Sequence, residues 1–440
     1  MTTVRLGDVT TKIGSGATPR GGEQVYQDSG VPFIRSQNVY NDGFREDGLV
    51  FLSAVHASEL DHVTVRKGDN LLDITGESVA RSCLAPESMD GGRVSQHVAI
   101  IRTDGRRLSS RYLHYLLVSP SIQTELLSLA SAGATRQALT KVMLQNLRVP
   151  CPSLEVQERV AAHIGSLDDK IELNRRMNRT LEEMALALFK SWFVDFDPVH
   201  AKAAGKKPWG MDAKTAALFP SNFSGQFQPV LEDLPSSWRI EPLEKLVSVP
   251  VRSGVYIPKV ERGNGWKLVN MGELFGNPVL FDMEMERVPL GPKEEARFSL
   301  ESGDVLFARR SMIGTGSSQC SLVWEASTPT TFESSIIRVR CDRLRLEPDY
   351  LFQLFWSDWG VQALGSIGRH GPISGITGSD LSRLLIPVPP LELQRAFLLR
   401  SQPWLRLRAA LRRESAVLAQ TRDALLPKLL SGEIRLKGAK

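Results

Sequence analysis

The fold of this chain is decided by a short string that it contains twice. VPCPSLEVQERV occupies residues 149–160, and IPVPPLELQRAF occupies residues 386–397. In each copy, closely spaced prolines precede apolar residues with helical periodicity. Because proline cannot donate a backbone hydrogen bond and favours an extended predecessor, each string predicts a stiff exit from a domain followed by the start of a helix.

The repeat extends well beyond this string. At offsets of 235 to 238 residues, identical residues recur in the same order in both halves. The pairs include Gly68 and Gly303, Asp69 and Asp304, Tyr112 and Tyr350, Thr140 and Thr377, Pro150 and Pro387, Pro152 and Pro389, Leu154 and Leu391, and Gln157 and Gln394. A repeat this long predicts the duplication of a whole domain with its trailing helix, and therefore a pseudo-two-fold chain.

Each half begins with short β-branched or alternating runs separated by Gly, Asp and Ser clusters. Examples are DNLLDI and HVAIIRT in the first half and DVLFAR and SSIIRVRC in the second. These runs predict strands, whereas residues 109–130 and 347–364 have the apolar spacing of a helix. The fold class is therefore α/β (α+β), with two mixed domains of about 150 residues, a common domain size.

A long helix follows each domain, and the two helices carry matching apolar stripes. In the first helix the stripe alternates at four and three residues, and in the second it recurs every seven, as in a coiled coil. The predicted seam consists of Val160, Ile164, Leu167, Ile171, Asn174, Asn178, Leu181, Ala185 and Leu188, facing Phe397, Trp404, Leu411, Leu418 and Leu425.

A helix of almost 40 residues would extend about 60 Å, longer than such a domain is wide. A helix that only covers its own domain is the simpler alternative, but this length favours two projecting helices that pack antiparallel. Asn174 and Asn178 would fix their register at some cost in stability. Pro403 breaks the second pattern, and Ser401 could cap a fresh helix there, so we expect a kink or restart.

The remaining boundaries follow from these elements. We predict the two mixed domains at 1–150 and 238–386, the first long helix at 151–194, and the second long helix with the C-terminal tail at 387–440. Residues 195–237 are rich in Gly, Pro and Lys and form the connector. Its aromatic residues predict that it is pinned to a surface; they are Trp209, Phe219, Phe223 and Phe227.

The composition is that of a globular protein of two or three domains: 440 residues, 42% of them apolar and 23% charged. No apolar run approaches the length of about 18 residues typical of a membrane span. The first residues lack the apolar core of a signal peptide, so we expect a cytoplasmic protein. The net charge of +5 favours a polyanionic partner.

Motifs for catalysis and metal binding are missing from the sequence. The chain has no GxxxxGK[ST], no GxGxxG in the right context and no HExxH. Cys83, Cys151, Cys320 and Cys341 form no CxxC pair, so they predict neither a zinc site nor a disulfide framework. We therefore expect a chain that has no metal or cofactor of its own and is not an enzyme.

Basic and amide side chains cluster instead in predicted loops. Arginine and lysine neutralise phosphates, and Arg, Asn and Gln can contact base edges in the major groove. The candidate DNA-binding residues are Arg20, Arg35, Gln37, Asn38, Arg81, Arg93, Arg136, Gln137 and Lys141 in the first half, and Arg252, Lys267, Asn270, Arg309, Arg310, Arg369 and His370 in the second. Any one of them could be a solvated surface residue, but the halves diverge most in these loops while the frame is kept.

Over essentially its full length the chain resembles the specificity subunit of type I restriction-modification systems. The strings that carry the resemblance are GDNLLDITGE, SQHVAII, GATRQALT, SWFVDFDPVHAK and the two proline-rich helix starts. The resemblance implies a non-catalytic protein in which each target recognition domain reads one half of a bipartite, asymmetric DNA site. The antiparallel helices would set the spacer between the halves.

The resemblance also implies partners and their cofactors. Two modification subunits would bring S-adenosylmethionine for adenine methylation and would dock on the helices near 154–193 and 391–430. Two restriction subunits would add translocation driven by ATP and cleavage that requires Mg. Arg395 and Pro403 depart from the first helix's pattern and put docking at that end in doubt. The alternatives are a silent or accessory DNA-recognition scaffold and an unrecognised nuclease.

Overall fold

The computed structural model describes residues 2–131, 137–225, 233–311, 319–326, 328–368 and 374–436. It divides the chain into two units, of which the first comprises Met1–Asn174 with Arg413–Lys440 and the second Arg175–Arg412. The unit boundary therefore falls inside both long helices. Among the residues described, no helix combines the length and apolarity needed to cross a membrane.

The first unit contains eleven strands and four short helices within its described residues. Its strands are β1 (Thr3–Arg5), β2 (Thr10–Ser15), β3 (Val31–Ile34), β4 (Val39–Tyr40), β5 (Gly43–Phe44), β6 (Val50–Leu52), β7 (Asn70–Asp73), β8 (Ser82–Leu84), β9 (Arg93–Val94), β10 (Val98–Thr103) and β11 (Arg148–Pro150). Its short helices are α1 (Ala54–Ser58), α2 (Ser110–Leu117), α3 (Pro120–Ser131) and α4 (Lys141–Asn146). The first long helix, α5, spans Leu154–Phe193.

The second unit has the same kinds of elements. In its described residues the helices are α6 (Asp197–Ala203), α7 (Ala213–Ala217), α8 (Met271–Gly276), α9 (Pro292–Phe298), α10 (Pro348–Trp356), α11 (Asp358–Ile367) and α12 (Gly378–Arg383). The strands are β12 (Arg239–Pro242), β13 (Arg252–Ser253), β14 (Trp266–Val269), β15 (Val279–Leu280), β16 (Arg287–Val288), β17 (Val305–Ala308), β18 (Arg310–Ser311), β19 (Cys320–Val323), β20 (Thr330–Phe332), β21 (Ile336–Val339), β22 (Ser374–Gly375) and β23 (Leu385–Val388). The second long helix, α13, spans Leu391–Ser431.

A sheet forms the centre of each unit, antiparallel in the first unit and mixed in the second. In the first unit the strand order is β2-β10-β7-β8, accompanied by the smaller sheet β6-β3-β9. In the second unit the central sheet is β13-β21-β17-β19-β15, and the smaller one is β16-β14-β20. In both units the first strand pairs antiparallel with the strand that leads to the long helix, β1 with β11 and β12 with β23. Each domain therefore closes where its helix begins.

The central strands are apolar throughout because both of their faces are covered. In β10, Ala99 and Ile101 join the cluster that contains α2 and α3, whereas Val98 and Ile100 join the cluster on the opposite face. β17 repeats this division between the two faces of the second unit's sheet. Alternate strand residues point to opposite faces, so a strand covered on both sides loses its polar alternation.

The same glutamine fixes the start of the long helix in both units. The Gln157 side chain accepts a hydrogen bond from the Ser109 backbone N–H at 2.9 Å and donates to the Arg107 and Pro152 carbonyls. Gln394 accepts from the Glu347 N–H at 2.8 Å and donates to the Arg345 and Pro389 carbonyls. Both glutamines are fully buried. The repeated Gln of the opening string is thus the residue that ties the helix to its domain.

The long helices pack antiparallel within each unit. In the first unit Asp168 pairs with Arg422 at 2.9 Å, and the Asn174 Nδ2 donates to Glu414 at 2.8 Å. In the second unit Glu182 pairs with Arg408 at 3.0 Å. Farther along that unit's helices, Phe189 and Trp192 stack against Phe397. All the predicted seam residues lie within the described ranges, and each is buried or half-buried.

The expected restart at Pro403 is wrong, because α13 runs without interruption from Leu391 to Ser431. Proline removes only the hydrogen bond to the carbonyl of Leu399, four residues earlier. Leu399 is 73% exposed, so water can replace that bond. The Ser401 hydroxyl bonds to the Leu398 carbonyl within the helix and caps no new one.

Two further expectations need correction. The helical patterns at 109–130 and 347–364 are each split into two helices, at Ser119 and Ser357. The hydroxyl of each serine donates a hydrogen bond at 2.6 Å to a backbone carbonyl oxygen of the preceding turn, and the helix ends there.

In the connector, Phe219 is buried and Phe223 packs against the second unit's core, but Trp209 is 98% exposed. Trp209 therefore does not anchor the connector to a surface. Phe227, which is also predicted to anchor the connector, lies outside the described residues.

Candidate nucleic-acid interface

Two arginines flank one tyrosine on the first unit, and together we call them the Tyr40 stack. The guanidinium carbon of Arg45 lies 3.7 Å from the centre of the Tyr40 ring, and that of Arg81 lies 4.9 Å from it. Tyr40 is held by the β4–β5 hairpin. The turn between β7 and β8 presents Arg81, with Ala80 in the left-handed region at φ 73°. The stack places two positive charges side by side on half-buried or exposed side chains.

A cleft opens near the end of β7, and we call it the His97 cleft. Its volume is about 540 Å³, and it is lined by Ser36, Thr75, Gly76, Glu77, His97 and Gln137. An isolated β-bridge between Thr75 and Ala138 places Gln137 beside the Thr75 strand end. Gln137 is exposed, and among the described residues its amide nitrogen donates to the Ser131 hydroxyl oxygen at 3.4 Å. Because this bond is long, the exposed amide can also contact a ligand.

A line of hydrogen bonds crosses one wall of this cleft. The Thr18 hydroxyl donates to the Gln96 Oε1, and the Gln96 Nε2 lies 3.0 Å from the His97 Nε2. The His97 Nδ1 lies 2.7 Å from the Thr75 hydroxyl oxygen. These bonds fix the orientation of an exposed glutamine and an exposed histidine that would otherwise rotate freely.

Beneath the cleft lies the carboxyl of Asp73, the last residue of β7. The Asp73 side chain is fully buried. Burial raises the pKa of Asp73 to about 7, and the nearby Ser78, Ser36 and Arg81 oppose that rise. Neither carboxyl oxygen has a hydrogen-bond partner among the described residues.

In the second unit, two arginines face each other across the strands β13 and β21. Arg252 and Arg338 are direct cross-strand partners. Arg338 is 4% exposed and donates to the Arg297 and Ser299 carbonyls. Burial lowers the pKa of Arg338, and the charge of Arg252 lowers it further. The buried Nε of Arg252 has no hydrogen-bond partner among the described residues.

Three of the predicted DNA-binding residues are instead used inside the protein. Asn38 is fully buried, where its amide bonds to the Arg45 and Asp47 carbonyls. Arg93 is 8% exposed, and it pairs with Asp61 and donates to the Ala57 carbonyl. Lys267 is 5% exposed, and its Nζ bonds to Asp282 at 2.7 Å. We withdraw these three residues from the interface because their polar atoms are already engaged.

Other candidates keep at least part of their side chains at the surface. Arg35 and Gln37 both donate to the Gly48 carbonyl, which fixes the loop beside the cleft. Asn270 is occupied as the N-cap of α8 through its bond from Gly272. Exposed or half-buried candidates are Arg20, Arg35, Gln37, Arg81, Gln137, Lys141, Arg252, Asn270, Arg309 and Arg310. Arg136, Arg369 and His370 lie outside the described residues.

The prediction from sequence missed several residues of these surfaces. Tyr40 and Arg45 form the stack, and Thr75, Gln96 and His97 form the wall of the cleft. A signal was present, because Thr75 lies in GDNLLDITGE and Gln96 and His97 lie in SQHVAII. Only the pairing of β7 with β10 brings the two strings together.

No group of three or more His, Cys, Asp or Glu side chains in the described part of the chain is placed to hold a metal ion.

Comparisons with known proteins agree on one family. Residues 1–183 match the family model described as the type I restriction modification DNA specificity domain. The HindI specificity subunit of Haemophilus influenzae is 36% identical over 155 residues, which is 35% of this chain and 34% of that subunit. The chain thus spans about a third of that relative.

Longer alignments relate the chain to archaeal and mycoplasmal proteins. The MjaIX specificity subunit of Methanocaldococcus jannaschii is 24% identical over 350 residues, or 77% of this chain and 72% of that one. The crystal structure of the type I S subunit from M. genitalium superimposes with a TM-score of 0.54 at 14% identity, covering 97% of this chain and 95% of the other. At this identity the likeness is evidence for the fold.

Proposed function

We propose that this chain is a specificity subunit of a type I restriction-modification system and that it reads a bipartite, asymmetric DNA sequence with one recognition domain for each half. The relatives above are named as specificity subunits. In this proposal the chain recognises DNA and does not itself catalyse a reaction.

The observation that carries this proposal is a duplicated frame with different surfaces. Both units contain a buried Asp–Arg pair, Asp69 with Arg102 and Asp304 with Arg340. Both also contain the glutamine at the start of the helix and a threonine cap, Thr140 in α4 and Thr377 in α12. The Tyr40 stack and the Arg252–Arg338 pair have no such correspondence, since they occupy different strands and loops. Equivalent frames with unlike surfaces suit two modules that read different half sites.

Two recognition domains also discriminate between DNA sequences more strongly than one domain alone. A mismatched base pair costs about 1 to 3 kcal/mol in specific protein–DNA complexes, and well-separated positions add. Reading two half sites therefore multiplies the discrimination of each. In this proposal the helices α5 and α13 set the number of unread base pairs between the halves.

The partners in this proposal are double-stranded DNA, two modification subunits and two restriction subunits. S-adenosylmethionine would be held by the modification subunits, and ATP and Mg by the restriction subunits. The docking platform would lie on the long helices near 154–193 and 391–430. The complex would act in the cytoplasm, and the domain boundaries would be those given above for the recognition domains, helices and connector.

The test is a genome-wide map of methylated adenine by single-molecule sequencing. Matched cells would carry the modification subunit alone, or together with this chain. We expect a two-part motif with a fixed spacer only in cells that contain both. Absence of any motif that depends on the chain would contradict the proposal and favour a silent or accessory scaffold, while nicking of DNA by the purified chain with magnesium would identify a nuclease.

A further inference from the structure

We propose that the His97 cleft reads the edge of a base pair in the half site of the first domain, with the Thr75 hydroxyl as a hydrogen-bond donor and the Gln137 amide as the second contact. This inference rests on the proposed function and assigns the specificity residues within it. The ligand chemistry is an acceptor atom on a base edge in the major groove.

The hydrogen-bond line through the cleft wall determines what Thr75 can offer. A Gln Oε1 can only accept, so the Thr18 hydroxyl donates to it, which leaves the Gln96 Nε2 facing His97. An amide nitrogen can only donate, so the His97 Nε2 accepts and the neutral ring carries its proton on Nδ1. That Nδ1–H donates to the Thr75 oxygen at 2.7 Å. The hydroxyl hydrogen of Thr75 is therefore left for a further acceptor.

The second contact comes from the segment that is bridged to Thr75. Gln137 is adjacent to Ala138, which forms the β-bridge with Thr75. A glutamine amide offers a donor and an acceptor together, which suits the N6 and N7 atoms of adenine. Thr75 and Gln137 are neutral hydrogen-bonding side chains, and both line the cleft.

The charges decide between a base edge and a phosphate as the ligand. Glu77 is an exposed carboxylate on the lining. A carboxylate repels a phosphate, whereas a base edge is neutral and can donate to it. The positive charge needed for the backbone is supplied by the Tyr40 stack on the same unit. The cleft is therefore suited to bases, and the stack to phosphates.

The experiment uses the complete chain expressed with its modification subunit, and it compares methyladenine maps of variants. Thr75→Val removes the hydroxyl at nearly constant volume, Thr75→Ser keeps it, and Gln137→Ala removes an exposed amide without touching the core. Thr11→Val, an exposed strand threonine of the same unit, is the matched control. Purified complexes would then be tested for affinity on a duplex that carries the wild-type motif.

We expect Thr75→Val and Gln137→Ala to make one position in one half of the motif degenerate and to leave the other half intact. Thr75→Ser and Thr11→Val should keep the full motif. The affinity of Thr75→Val and Gln137→Ala for the wild-type duplex should fall about 10-fold or more, as for the loss of a base contact. Because Gln137 is exposed, its variant tests the inference even if Thr75→Val disturbs folding.

Two outcomes would overturn the inference, and a third would overturn the proposed function on which it rests. A wild-type motif retained at every position by Thr75→Val and Gln137→Ala would exclude the cleft from base reading. A uniform fall in methylation without any degenerate position would show a structural role only. If the wild-type chain itself produces no motif, the proposed function fails instead, so the two failures are distinguishable.

Discussion

Arg340 and Asp304 form a two-bonded ion pair inside the second unit. The Arg340 Nε donates to the Asp304 Oδ1 at 2.7 Å, and its Nη2 donates to Oδ2 at 2.8 Å. Arg102 and Asp69 repeat this geometry in the first unit, with both distances at 2.7 Å. In each unit the pair holds the turn before a central strand against the neighbouring part of the domain. The duplication has therefore preserved a buried charge pair as well as an apolar core.

Breaking this pair should destabilise the second unit strongly. The Asp304 side chain is fully buried, and that of Arg340 is 17% exposed. Asp304→Ala removes the buried partner of this guanidinium, which keeps only Glu301 and the Ser299 carbonyl among the described residues, and it should cost about 3 kcal/mol in the free energy of unfolding. Urea titration would measure it. Lys67→Ala, which removes an ion pair whose side chains are 62% and 79% exposed, is the control and should cost no more than about 1 kcal/mol. Equal losses for the two variants would contradict the prediction.

An acid at position 174 should destabilise the helix pair in a way that depends on pH. The buried Asn174 donates to the Glu414 Oε2 at 2.8 Å and to the Ser415 hydroxyl oxygen at 3.2 Å. The hydrogen bond from Asn174, together with Lys170, lowers the pKa of Glu414. Asn174→Asp would replace the donor by a second carboxylate, and we expect a loss of about 1 to 3 kcal/mol at pH 7.

Protonation of the two carboxylates would remove their repulsion, so the loss should shrink towards pH 4. Asn174→Leu is the matched control, because it removes the polar group from the seam without adding charge, and its unfolding free energy should not fall with rising pH in this way. Thermal melts at pH 4 and pH 7 would separate the two variants. The same pH response in both would mean that Glu414 is not the partner that matters.

His114 should make the first unit less stable as the pH falls. Burial lowers the pKa of His114 to about 4, partly offset by the charge of Asp168. The unfolded value is about 6.5, so between those pH values the unfolded chain binds a proton that the folded chain does not. Stability is therefore complete above about pH 6.5 and declines as the pH falls towards 4.

The contribution of His114 can be isolated by substitution. Asp73 and Asp349, whose pKa values burial raises to about 7, act in the opposite direction, so the wild-type profile alone mixes the three. His114→Phe removes the titrating ring, and the variant should gain about 2 kcal/mol relative to wild type between pH 7 and pH 5. The exposed His62, replaced in the same way, should give no such gain. Urea unfolding at the two pH values would measure both differences.

The Tyr40 stack should contribute phosphate contacts. In a complex bound to its motif, Arg45→Ala and Arg81→Ala should each weaken DNA binding for all sequences alike. Each should also reduce the slope of log affinity against log salt by about 0.9, the value for one neutralised phosphate. Arg148→Ala, an exposed arginine on β11, is the control. Unchanged slopes for Arg45→Ala and Arg81→Ala would remove the stack from the interface.

The sequence by itself determined the frame of this protein. The repeated string around Gln157 and Gln394 placed both helix starts, because prolines and helical periodicity act over a few neighbouring residues. The runs around Leu72 and Phe307 were recognisable as buried strands for the same local reason. The resemblance to a known family rested on these strings, and residues 1–183 match the model of the type I restriction modification DNA specificity domain.

Only the tertiary structure decided which polar residues remain free to act. Arg93 and Arg81 look alike in the sequence, yet the Arg93 guanidinium donates to the carbonyl of Ala57, 36 residues away, whereas Arg81 covers the surface of Tyr40. The His97 cleft depends on the pairing of β7 with β10, which brings Thr75 to His97, 22 residues away in the sequence. A local pattern cannot specify such contacts, because each polar side chain finds its partner only when distant strands are brought together.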